Sequence, residues 1–408
     1  MSLKKTINYW MPVVIILALV GATFLNLSLA KKYKMQDGFA PRYFAAKLWM
    51  KEGLSPYSDE TFDATLALMN EMGVEPGRID QGRFFDMVSY VLFYIPLSFI
   101  PYPVAKAIWM TFLELVIILS AFLSLKLAGL KLTVFESILI CVSMLFFYPN
   151  LKMVLTASVL PVYIFMVIWA MYLAMNKQGT MAGVVFFVAF AMVPVSFFVA
   201  LFFMIWMGAR RDYSLLKVFF VGIAFLVIIG LILFPGWIAD WFRSYLLLYP
   251  GFTWIDNGLM RLSELFPGAS KQISIGLHVA TLAYLLIEWY GLPARDQRGL
   301  QWKLALTLVL LYAVNPLLPL NYVMLLCMPL FTVYKYLNEK WRVSGRIVTW
   351  LTYLGIGVTY WINGFAQETF TASESTLLIL LLPGIVFLGL QYFRWWALKS
   401  SNALIGSL

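Results

Sequence analysis

Residues 216–234 read LKVFFVGIAFLVIIGLILF, and the one charge among them, Lys217, stands near the start. About 20 apolar residues in helical form cross the hydrocarbon of a bilayer, so this run predicts a transmembrane helix. Working outward, the pattern repeats. Apolar runs of comparable character occupy 10–30, 103–126, 133–148, 154–175, 181–193, 195–208, 274–291, 301–314, 318–336, 346–362 and 375–393. The whole chain is 62% hydrophobic, 17% aromatic and only 12% charged. Soluble domains carry about 25% charged residues, so this surface is built for lipid rather than water. The expected fold is therefore an all-α polytopic membrane protein of about 12 helices.

The charges between the runs set the expected orientation. If the N-terminus is inside, the inside segments hold Lys4, Lys5, Lys126, Lys131, Lys177, Arg210, Arg211, Lys217, Arg295, Arg298, Lys303, Lys335, Lys340, Arg342, Arg346, Arg394 and Lys399. The short outside connections hold little beyond Lys152 and the acids Glu368 and Glu374. This asymmetry is the one that the positive-inside rule expects, and it places both termini in the cytoplasm. It also decides the reading at Pro194. One bent helix there would invert every later loop, so 181–193 and 195–208 are read as two short passes. The first run, 10–30, is long enough to span and lacks a small-x-small cleavage site, so it reads as a retained helix rather than a signal peptide. The net charge of +10 falls mostly between spans. It reads as topology and lipid-headgroup contact, not nucleic-acid binding.

Two outside segments are long, 31–102 and 235–272, and together they predict a small helical cap on a single membrane domain, 1–408. The first carries eight basic and nine acidic residues. Within it, Ser58 ahead of Asp59 and Glu60 is a helix start, and Phe62, Leu66 and Met69 follow at helical spacing. Arg42, Lys47 and Lys51 interleave with Phe44, Leu48 and Trp49, a pattern that suits a helix lying on the membrane surface.

Chemistry-bearing motifs are few. The chain has no Gly-rich nucleotide loop, no zinc spacing and no Ser-His-Asp set. Cys141 and Cys327 sit in apolar runs as small hydrophobes, and His278 reads as a hydrogen-bonded helix residue. Glu114 and Glu136 fall within apolar spans, where acids are functional candidates, although Glu136 stands near the inner end and is read as interfacial. A proton relay would need more such acids. Asp37 follows the first span by seven residues. A carboxylate at that depth can reach a hydroxyl on a membrane-borne substrate and serve as a general base; the alternative is a turn or helix-start Asp in a solvated loop. In the second outside segment Arg243, Asn257, Arg261 and Lys271 offer cations and an amide that would suit a phosphate at the bilayer surface. Plain loop charge is the alternative there.

The order of these segments resembles the C superfamily of membrane glycosyltransferases. It is most similar to the bacterial polyprenyl-phosphate-mannose-dependent mannosyltransferases of family 87. The resemblance is carried by Asp37, then Arg42-Tyr43-Phe44-Ala45-Ala46 leading to Gly53-Leu54-Ser55-Pro56-Tyr57, then Tyr94-Ile95-Pro96-Leu97 with Pro101 and Trp109, and the outside turns Asn257-Gly258 and Asn315-Pro316. Departures are equally specific. Thr156-Ala157-Ser158-Val159 stands where the family has Gly-Gln-x-Asn, and Val193-Pro194 where it has Lys-Pro. Asn315-Pro316-Leu317-Leu318-Pro319-Leu320-Asn321-Tyr322 replaces the usual Trp and His after the late Ser-Pro, and Asp37 is about two residues further from Tyr43-Phe44.

The resemblance implies an inverting glycosyltransferase in a prokaryotic plasma membrane. Asp37 would be the base. Tyr57, Tyr94, Arg243, Asn257, Arg261 and Lys271 would contact substrate. A polyprenyl-phosphate sugar would be the donor, a lipid or glycan the acceptor, and no metal or other cofactor is demanded. A transporter or flippase, or an inactive relative of the same fold, are the alternatives.

Overall fold

A computed structural model describes residues 3–32, 38–74, 83–192, 213–247, 259, 263, 266, 268–290, 297–314, 320–365 and 372–394. The ordered elements are helical, with no strand among the described residues. The predicted apolar segments that fall within them are helices. The expected second short pass, 195–208, and the turn at Pro194 lie outside the described residues.

Among the described residues, three helices are long and apolar enough to cross a membrane: Tyr102–Ala128, Tyr213–Leu233 and Ser270–Trp289. A fourth is gained if Val134–Phe146 and Tyr148–Leu155, bent by 56° at their junction, form one broken span. This differs from the expected run 133–148. Pro149 opens the second piece, where its missing N–H costs nothing, and the chain turns there. Other predicted spans are shorter helices, such as Leu160–Met175 and Gly179–Met192.

Apolar side chains line the outside of these helices as well as the inside. Tyr102–Ala128 buries Ala105, Met110, Leu113 and Ile117, while Val104, Ile108, Phe112, Leu115, Leu119 and Phe122 form a stripe on its exposed face. A helix that is apolar all round is a membrane span or a buried core helix, and here the second face is uncovered.

The chain divides into two compact units. The first comprises 1–117, 152–162 and 224–250; the second comprises 118–151, 163–223 and 251–408. In the first unit, α1 (Leu3–Lys32) is joined to the long helix Tyr102–Ala128 by a polar clasp. The Asn26 amide donates to Thr111 Oγ1 and to Glu114 Oε1, both at 3.0 Å, and Thr23 and Thr111 hydroxyls lie 3.1 Å apart. Glu114, a candidate for ion relay by position, therefore serves helix–helix contact.

Three further helices of this unit lie in the segment expected to form a cap: α2 (Ala40–Glu52), α3 (Asp59–Glu71) and α4 (Ser89–Ser98). Helix α2 begins beside Pro41 and stops at Gly53, whose φ of 70° and N–H bond to Trp49 O make a left-handed cap. Tyr43, Phe44, Ala45, Ala46 and Leu48 are all buried, so its apolar residues are taken up by protein on more than one side. Helix α3 starts as expected. Ser58 accepts from Thr61 N at 3.2 Å, with Asp59 and Glu60 in the first turn. Its buried stripe is Thr61, Thr65 and Met69; Phe62 and Leu66 flank that stripe rather than forming it.

In the second unit, the helix Gln297–Val314 is buried along nearly its whole length, Trp302 and Lys303 included. Trp302 Nε1 donates to Leu390 O at 2.9 Å and Gln301 Nε2 to Leu127 O at 2.7 Å. The continuous helical stretch Cys327–Phe365 folds back on itself at Arg342, which has φ 48° and ψ −115°. Thr349 Oγ1 donates to Asn338 Oδ1 and Thr352 Oγ1 to Tyr334 OH, each at 3.1 Å. A methyl group on Gly345 would lie 2.3 Å from Leu337 O. The pairings 334–352, 338–349 and 337–345 are those of an antiparallel helical hairpin. Its turn is the basic connection expected between 318–336 and 346–362. Glu136 completes a capping box with Thr133 and pairs with Arg346.

Candidate functional site

A polar centre in the first unit is assembled by α2, α4 and the segment between them. Arg42, on the first turn of α2, grips Asp86 with two nitrogens. Nε lies 2.6 Å from Oδ2 and Nη2 lies 3.1 Å from Oδ1. Its third nitrogen donates to Gly38 O. The Asp86 carbonyl accepts from Tyr57 OH at 2.6 Å, and the neighbouring Phe85 carbonyl accepts from Trp241 Nε1 at 3.0 Å. The pair is almost out of water, with side-chain exposures of 19% and 9%.

Burial pushes the Asp86 carboxyl above its ordinary value, and Arg42 recovers only part of that. Burial also works against the Arg42 charge, but Asp86 and the surrounding hydroxyls outweigh it and hold the guanidinium protonated. Tyr57 and Tyr94 are both pushed up, chiefly by burial.

Beside this pair is an aromatic wall. The Phe39 ring lies 5.6–6.0 Å from the rings of Tyr43, Tyr94, Tyr102 and Trp109. Tyr102, Lys106 and Trp109 stand at i, i+4 and i+7 of one helix and so share a face. Lys106 is thus on the face that Phe39 covers, and it is only 1% exposed. The Tyr94 hydroxyl is also buried, and among the described residues nothing hydrogen-bonds to it. Leaving such a group unsatisfied costs about 1–3 kcal/mol, a cost that a substrate oxygen would remove.

The chain just after Asp37 is fixed. Gly38 N–H donates to Thr156 O at 2.8 Å, and a Cβ on Gly38 would sit 3.3 Å from the same oxygen. Thr156-Ala157-Ser158 is a turn, with Ala157 at φ 47°, and Trp109 Nε1 donates to Ala157 O at 3.1 Å. The segment that departs from the family's Gly-Gln-x-Asn is thus the seat for the residue following the expected base.

The chain matches no family model, no curated protein and no solved structure.

The expected site residues divide as follows. Tyr57 and Tyr94 meet at the Arg42–Asp86 pair. Arg243 is exposed on the helix Trp237–Leu247 in the first unit. Lys271 is exposed in the first turn of the helix Ser270–Tyr290 in the second. Asp37, Asn257 and Arg261 lie outside the described residues. His278, as expected, bonds the Ser274 carbonyl one helical turn back, at 2.7 Å.

Asp86 and Lys106 carry no weight in the sequence reading. Asp86 stands in Arg83-Phe84-Phe85-Asp86, which has no periodicity to flag it. Lys106 is averaged away in a long apolar run. The available signal for it was the one in plain view, a lone ammonium four residues inside a span.

Proposed function

We propose that this chain is a membrane glycosyltransferase that moves a sugar from a polyprenyl-phosphate carrier to a lipid or glycan acceptor on the outer side of the membrane. One observation carries the reading. The residues directly after Asp37 are seated against the face that bears Lys106, and beside them are the Arg42–Asp86 pair and a buried Tyr94 hydroxyl open to a partner. Buried polar groups and an unsatisfied hydroxyl beside an aromatic wall, close in sequence to the candidate base, suit a sugar linked to phosphate.

In the proposed step Asp37 takes the proton of the acceptor hydroxyl. That oxygen bonds to the anomeric carbon, and the bond from that carbon to the carrier phosphate oxygen breaks. The sugar inverts, and the phosphate leaves as an anion stabilised by cations. Arg243, Arg261 or Lys271 is assigned to that phosphate, and Lys106 is the buried cation of the acceptor side. The Asn26–Glu114 bond speaks against transport, because it engages in helix packing the acid that a relay would need.

Loss of a charge-assisted phosphate contact costs about 1.5–3 kcal/mol of binding. The triple variant Arg243→Ala, Arg261→Ala, Lys271→Ala is therefore expected to raise the donor concentration needed for half-maximal transfer by tenfold or more. Unchanged donor dependence would move the phosphate away from these residues.

The fold that frames this reading has about 12 crossings, with both ends in the cytoplasm. A tag after Leu408 is expected to react only once the inner side is opened to the label. Reaction in intact cells would reverse the orientation.

A further inference from the structure

The turn of the hairpin in the second unit lines a cavity of about 380 Å³ that is rich in cations. Lys131, Lys335, Arg342 and Arg346 face it, with Asn338 and the single acid Glu339. The charges do not cancel locally. Glu339 is committed to Arg298 at 2.7 Å, and Arg346 is committed to Glu136. Lys335 donates to the neutral Gln301 amide oxygen at 3.1 Å. Lys131 and Arg342 have no carboxylate partner among the described residues. Lys131 and Arg342 therefore bring two positive charges to one cavity with no carboxylate paired to either among the described residues.

Two further features bear on the occupant. Arg342 is held at φ 48°, a conformation that L residues rarely adopt and that recurs at ligand clamps. The rim is apolar and bare. Val343, which lines the cavity, is 76% exposed, and Phe135, next to Glu136 on the facing helix, is 73% exposed. A soluble anion would leave these side chains in water, whereas acyl chains would cover them.

We propose that this cavity binds the phosphate of an anionic phospholipid headgroup, with its acyl chains lying along Val343 and Phe135. Arginine and lysine pockets between membrane helices hold such headgroups by charge-assisted hydrogen bonds. The proposal needs the chain to be in a membrane. It does not depend on the sugar-transfer reading.

The test uses the full chain in dodecyl maltoside, titrated with dioctanoyl phosphatidylglycerol, dioctanoyl phosphatidylcholine or inorganic phosphate, with the thermal unfolding midpoint as readout. Phosphatidylglycerol is expected to raise the midpoint saturably, and the other two to leave it unchanged. Lys131→Gln with Arg342→Gln is expected to weaken the apparent affinity more than tenfold, the loss of two charge-assisted contacts. Arg342→Gly, which relaxes the backbone while removing the charge, is expected to keep the fold and weaken binding as well. The exposed Lys217→Gln is the control and should bind as the unmodified chain does. Full affinity in both Arg342 variants would overturn the site. An equal shift with phosphatidylcholine would overturn its charge selectivity. The same shift with inorganic phosphate, competing with the lipid, would make it a soluble-anion pocket instead.

Discussion

Asp37→Asn is expected to lower sugar transfer by about 10²–10⁴-fold, the usual worth of a general base, while the protein still folds and inserts. Asparagine keeps the shape of the side chain and loses only its ability to take a proton. The controls are the acids at the start of α3. Asp59 pairs with Arg83 at 2.8 Å but is 81% exposed, and exposed pairs of this kind contribute about 0–1 kcal/mol. Asn or Gln at Asp59, Glu60 or Asp63 should therefore cost tenths to about one kcal/mol of stability and leave the rate unchanged. Full activity in Asp37→Asn, with loss in one of the controls, would assign the base to the wrong carboxylate.

The largest stability effect is expected at the Arg42–Asp86 pair. Arg42→Met or Asp86→Leu leaves one buried charge without its partner, which typically costs about 3–5 kcal/mol. The double variant Arg42→Met, Asp86→Leu removes both charges and is expected to recover much of that loss, because two apolar groups need no partner. Denaturant unfolding of the four proteins in one detergent gives the coupling between the two positions. Purely additive effects would show that the contact carries no energy of its own. Tyr57 reports locally: Tyr57→Phe deletes the bond to Asp86 O and should cost about 1 kcal/mol.

The helices were legible where their signal is a long apolar run. Residues 103–126 and 216–234 need only composition to be read, and the structure extends each by a few residues. Ser58 was legible because a capping side chain and two acids are a local code. The hairpin's place was legible as the basic connection between 318–336 and 346–362, but its form was not. The sequence between 337 and 344 has no Gly or Pro, and its Lys, Glu, Trp and Arg residues all accept helix. The helices therefore run up to Arg342 from both sides, and one residue takes the whole reversal.

The candidate site was half legible. Tyr57 and Tyr94 came from short motifs, but what unites them is Asp86, which contributes its carbonyl to one and its carboxylate to Arg42. Such a role leaves no spacing rule in the chain. Arg42 was assigned to a polar surface face by its pattern with Phe44 and Leu48, and its commitment to Asp86, 44 residues away, is a tertiary choice.

The central claim is sugar transfer itself. Purified unmodified protein in proteoliposomes, given a polyprenyl-phosphate donor with a labelled sugar and a lipid extract as acceptor, measures it directly. Labelled, lipid-extractable product is expected, with its new glycosidic linkage inverted relative to the donor. Movement of the intact labelled carrier across the bilayer, with no new linkage formed, would contradict it.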